Sequence, residues 1–90
     1  MELFKELILE KFDCLVDELE PERFIFTFEK DSEITKILAG RSEDNARIML
    51  KEELDKLEEF NFEQYKKDEY IVFQLSTFDG DKYILLYFEL

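Results

Sequence analysis

The residues of this chain best placed to do chemistry are carboxylates. Glu2, Glu6, Glu10, Asp13, Asp17 and Glu20 follow one another at intervals of three or four. At ~100° per residue they fall within an arc of about 80° on one helix face. Such a row could work as acid and base, hold a cation, or present negative charge to a basic partner. Lys5 and Lys11 lie off the row, so the sequence predicts a ridge that is not neutralised, and like charges four apart weaken a helix slightly. A solvated face set opposite an apolar one would give the same pattern.

Other reactive groups are sparse. There is no histidine, which removes the usual general base and the commonest transition-metal ligand. Ser32, Ser42 and Ser76 have no activating neighbour in sequence, and Cys14, set among acids, reads as a small packing residue with blunted nucleophilicity. Asp79-Gly80-Asp81 lacks the other ligands of a calcium loop and reads as a turn. No glycine-rich phosphate loop, zinc spacing or dinucleotide fingerprint is present. The expectation is a non-enzymatic protein with no cofactor and no metal site.

Composition bounds the partners. The 90 residues hold 24 Asp plus Glu against 12 Lys plus Arg, a formal charge of −12, yet 46% are apolar and ten are Phe. That is too hydrophobic for a disordered acidic tail and enough for one domain with a core, residues 1–90. Duplex nucleic acid carries a negative charge every ~1.7 Å, so direct binding to it is disfavoured, as is an anionic membrane surface. No apolar run approaches the ~20 residues of a membrane span. The acidic amino end is unlike a secretory signal, and a single cysteine forms no internal disulfide, so a reducing cytoplasm is the expected location.

Apolar periodicity supplies the elements. Phe4, Ile8, Phe12, Leu15 and Leu19 define a helix from Glu2 to Leu19, ended by Glu20-Pro21. Arg23 to Phe28 alternates as a strand, and Glu29 to Ser32 has turn chemistry. Residues 33–39 fit a returning strand or a short helix stopped by Gly40, and the strand is preferred. Ser42 caps a second helix reaching to about Phe60, with Ala46, Leu50, Leu54 and Leu57 on its apolar stripe and Glu53 at the stripe's edge. Tyr70 to Thr77 and Lys82 to Leu90 flank an Asp-Gly turn. The predicted fold is α+β in the order helix, hairpin, helix, hairpin: an antiparallel sheet of three or four strands with both helices on one face.

Alternation along those strands sets Phe24, Phe26, Phe28, Ile71, Phe73, Leu75, Ile84, Leu86 and Phe88 toward the helices, and Tyr70, Val72, Tyr83, Leu85 and Tyr87 away from them. Tyrosine is enriched at protein contacts, so the outer face offers Tyr83 and Tyr87 as partner-binding residues. In size and charge the chain resembles anti-CRISPR, anti-restriction and nuclease-immunity proteins. That likeness implies an inhibitor whose acidic ridge, helped by Glu52, Asp55, Glu58 and Glu59, occupies the basic cleft of a nucleic-acid-handling protein. The alternative is a structural or adaptor module that binds a partner, or a second copy as a homodimer, through the tyrosine face.

Overall fold

The computed structural model describes residues 2–31 and 33–90. Ser32, placed in a turn by the sequence, lies outside them. The elements are α1 (Glu2–Leu19), β1 (Arg23–Lys30), β2 (Glu33–Gly40), α2 (Glu43–Lys56), β3 (Phe60–Lys67), β4 (Tyr70–Thr77) and β5 (Lys82–Glu89). The α+β class and both helices agree with expectation, and residues 33–40 are indeed a strand. Two features differ. The sheet has five strands, and the second half is a three-strand meander instead of a hairpin.

The added strand is β3. Leu57 already has extended dihedrals and caps α2 with its backbone N–H on the Leu54 carbonyl, so Phe60 begins a strand and does not end a helix. Phe60 and Phe62 then take period-two positions against Thr77 and Leu75. The apolar alternation stops there, because Gln64 and Lys66 follow on the same face.

All pairings are antiparallel, in the order β2-β1-β5-β4-β3. Tight links fit this register. Asp31 and Asp68 take positive φ (54° each) between the paired residues Lys30 and Glu33, and Lys67 and Tyr70. Aspartate tolerates that left-handed conformation better than most residues. Between β4 and β5, Gly80 (φ 76°) donates its N–H to the Thr77 carbonyl.

Both helices pack on one side of the sheet. Ile8, Phe12 and Val16 of α1 and Ala46, Leu50 and Leu54 of α2 share a core with Phe24, Phe26, Phe60, Phe73, Leu75, Ile84, Leu86 and Phe88. Aromatic rings tie the layers together: Phe12 lies 5.8 Å from Phe24 and 5.3 Å from Phe88, and Phe4 lies 5.5 Å from Phe60. These separations suit tilted and offset ring pairs.

Candidate functional site

Burial of Ile8, Phe12 and Val16 turns the carboxylate row of α1 outward. Glu2, Glu6, Glu10, Asp17 and Glu20 are exposed, and Asp13 is half-buried. The row is nonetheless interrupted. Arg47 of α2 donates from Nε to Asp13 Oδ1 at 2.9 Å and from Nη2 to Oδ2 at 3.3 Å, and Lys5 Nζ lies 3.5 Å from Glu2. The expectation of an unneutralised ridge therefore fails at two of six positions. A cation three residues away and one from a neighbouring helix are the causes, and only the first was readable from α1 itself. Glu6, Glu10, Asp17 and Glu20 have no ion-pair partner among the described residues.

Glu6, Glu10 and Asp17 span ~17 Å along the axis at 1.5 Å per residue, whereas Glu20 lies just past the end of α1 at positive φ (44°), off the helix face on which the sequence placed it. Among the described residues no group of three His, Cys, Asp or Glu side chains is disposed to hold a metal ion. The row is an extended charged surface and not a coordination cage. On α2, Asp55 and Glu53 are each held at 3.2 Å, by Lys51 and Lys56 respectively. Glu53 is 9% exposed, so the partner offsets the cost of covering its carboxylate.

Among the described residues no helix covers the far side of the sheet. Cross-strand register aligns three rows there: Glu89, Tyr70 and Lys67; Ile25, Tyr87, Val72 and Tyr65; Thr27, Leu85, Gln74 and Glu63. Tyr83 sits in the next row, between Glu29 and Ser76. Tyr83 and Tyr87 thus share the outer face, as the alternation predicted, and Tyr70 packs its ring 5.6 Å from Tyr87, edge to face. Val72 is fully buried between Tyr87 and Tyr65 in the row, and Leu85 is 9% exposed.

Tyr65 was missed because β3 was missed. Its hydroxyl donates to Gln74 Oε1 at 3.0 Å. Burial first, then the negative charges of Glu63 and Glu29, push its phenol above the usual tyrosine range; burial first, then Tyr65 and Glu29, do the same for Tyr87. Both stay neutral and able to donate hydrogen bonds. A hollow of about 290 Å³ opens on this face, lined by Ile25, Thr27, Lys67, Asp68, Tyr70 and Tyr87. Thr27 is 7% exposed, and its Oγ1 is buried without a hydrogen-bond partner.

The remaining reactive candidates have structural settings. Cys14 is exposed and is not the packing residue expected, because it projects from α1 away from Phe12 and Val16. Ser42 accepts from the Asn45 N–H at 3.2 Å as the cap of α2. Ser76 faces Tyr83 across the outer sheet surface. Asp79 is a turn residue, accepting from the Thr77 hydroxyl at 2.6 Å and the Asp81 N–H at 3.0 Å.

Compared with protein-family models, with curated proteins and with solved structures, the chain finds no match.

Proposed function

We propose that this chain is a small acidic inhibitor that lies in the basic, nucleic-acid-binding cleft of a nucleic-acid-processing enzyme, acting in the cytoplasm and without a reaction of its own. One observation carries this reading: Glu6, Glu10 and Asp17 stand exposed on one helix ridge, with Glu20 exposed just past its end, and none of the four has an ion-pair partner among the described residues. Lysines and arginines that normally hold phosphates would meet these carboxylates, and a net charge of −12 would speed the encounter. The bulk of the sheet behind α1 then blocks the cleft. No helix of the described residues is long and apolar enough to cross a membrane, which fits action on a macromolecule in water.

The test is capture of partners by the purified protein at two salt concentrations, with identification by mass. A basic nucleic-acid-handling protein should be retained at low salt, lost at high salt and displaced by excess DNA or RNA. Retention that ignores both salt and nucleic acid would end this reading.

The uncovered tyrosine face supports a second reading, an adaptor that docks a partner on Tyr65, Tyr70, Tyr83 and Tyr87. Its supporting observation is the unpartnered Thr27 hydroxyl beneath that face, since a buried polar group without a partner is costly. Here Tyr83→Lys with Tyr87→Lys should abolish partner capture, and changes on α1 should leave it intact.

A further inference from the structure

We propose that the free edge of β2 is a self-association surface that pairs antiparallel with β2 of a second copy, about a two-fold axis at Ile37. β2 is an outer strand, bonded on one side only, to β1. Seven of its eight residues are exposed and the eighth, Leu38, is half-buried. Ile34 and Ile37 are 57% and 59% exposed, and among the described residues no other strand shows a large apolar side chain so openly.

Edge strands invite pairing with another chain, and proteins ordinarily guard them with charge. The opposite edge, β3, carries Glu63, Lys66 and Lys67. β2 carries only Glu33 and Lys36, which sum to zero in a chain whose net charge is −12. The surface least repelled by a second copy is therefore also the one that offers unpaired backbone.

The occupant follows from the charge order along the strand. Glu33 opens β2 and Arg41 follows its last residue, Gly40; neither has an ion-pair partner among the described residues. With Thr35 bulged out, pairing about Ile37 sets Glu33 of each copy opposite Gly40 of the other, one residue from Arg41, twice by symmetry. An unrelated strand has no reason to match this end-to-end complementarity; a second copy meets it automatically. The β-bulge at Thr35, which has no residue opposite it between Glu29↔Ile34 and Phe28↔Lys36, leaves residues 36–38 to pair regularly with the same residues of the second copy.

A hollow of about 260 Å³ lies beside this edge on the helix side, with Phe24, Phe26, Leu38, Ala46 and Met49 in its wall. In the same register, Lys36 of the second copy stands opposite Leu38. Its aliphatic stem can cover this apolar surface while the ammonium stays in water. The inference is independent of the cleft-inhibitor reading, which concerns α1.

Sedimentation of the purified protein over a concentration series should show twice the chain mass. Ile37→Glu should return it to the monomer, and Ile48→Glu, at an exposed site on α2, should not. Glu33→Arg and Arg41→Glu should each weaken the dimer, and the two together should restore it. As a direct test of register, Ile37→Cys in a Cys14→Ser background should form a covalent dimer on mild oxidation. Opposed residues of an antiparallel pair place their Cα atoms ~4.5–5.5 Å apart, within disulfide reach. A monomer at every concentration, a dimer indifferent to Ile37→Glu, or a dimer lost on Tyr87→Lys but not on Ile37→Glu would each overturn the proposal.

Discussion

Arg47 clasps Asp13 with two donors, at 2.9 and 3.3 Å, and so joins α2 to the middle of the carboxylate row of α1. The clasp divides that row by role. Asp13 holds the two helices together, and its hydrogen bond, then its charge, raise the pKa of Arg47. Glu6, Glu10, Asp17 and Glu20 are left to the solvent. Asp13 is thus a poor position at which to probe partner binding, although nothing in its spacing within α1 distinguishes it from Asp17.

Charge reversal should separate the two roles. Glu6→Lys, Glu10→Lys and Asp17→Lys together should slow association with a basic partner at least tenfold while leaving the melting temperature close to that of the parent. Arg47→Ala should do the opposite, costing about 0.5–1 kcal/mol of stability, since both partners are nearly half exposed, and leaving association no slower. Stopped-flow association and thermal melts on the same samples check both; equal effects of the two changes on association would contradict the division.

The buried, unpartnered hydroxyl of Thr27 should be a liability in the isolated protein. Thr27→Val keeps the shape and the β-branched stem and removes the polar atom, so it should stabilise the fold by about 1 kcal/mol. For a domain of this size that is a rise of roughly 4–8 °C in melting temperature. If the tyrosine face receives a partner that bonds this hydroxyl, the same variant should bind that partner more weakly.

Phe12 is the junction of the core, fully buried and in ring contact with Phe24 and Phe88. Phe12→Ala should cost ~3–5 kcal/mol out of a total that for such domains is ~5–15 kcal/mol. Leu3→Ala, at a site 77% exposed on the same helix, should be close to silent. Denaturant titration distinguishes them, and similar midpoints would mean that α1 does not pack as described.

The turn joining β4 to β5 should titrate in two opposite senses. Hydrogen bonds from the Thr77 hydroxyl and the Asp81 N–H hold the Asp79 carboxyl below the ordinary range. Its contribution is present above the unfolded-state value and is lost as pH falls through the folded one. Asp81 lies beside Asp31, whose hydrogen bond and charge raise it. The folded state binds that proton more tightly, so its contribution grows as pH falls through the raised value and is complete below the unfolded one. Carboxyl carbon shifts followed against pH should give a midpoint for Asp79 below the usual carboxylate value and one for Asp81 above it; coincident midpoints would rule out this arrangement.

Much of this architecture was legible wherever side chains alternate strongly. α1, β1, β4 and β5 carry apolar or aromatic residues through most of their length, so periodicity located them and sorted Tyr70, Tyr83 and Tyr87 onto the outer face. β3 escaped because only Phe60 and Phe62 signal its buried side, and because Phe60 also continues the helical stripe of Leu50, Leu54 and Leu57. Its loss hid Tyr65 and, with it, the row that encloses Val72. The Asp13 clasp escaped for another reason: a contact between residues 34 apart in the chain leaves no trace in the local pattern of either helix.

The position of β5 has a consequence for biosynthesis. It is the middle strand, bonded to β1 on one side and β4 on the other, with Arg23 opposite Glu89. It is also the last of the five to be translated. Until it emerges, the β1–β2 hairpin and the β3–β4 hairpin share no backbone hydrogen bonds, and the phenylalanines beneath the helices have no continuous floor to rest on. A nascent chain must therefore wait for β5 before the sheet closes, a long-range closure of the kind that slows folding.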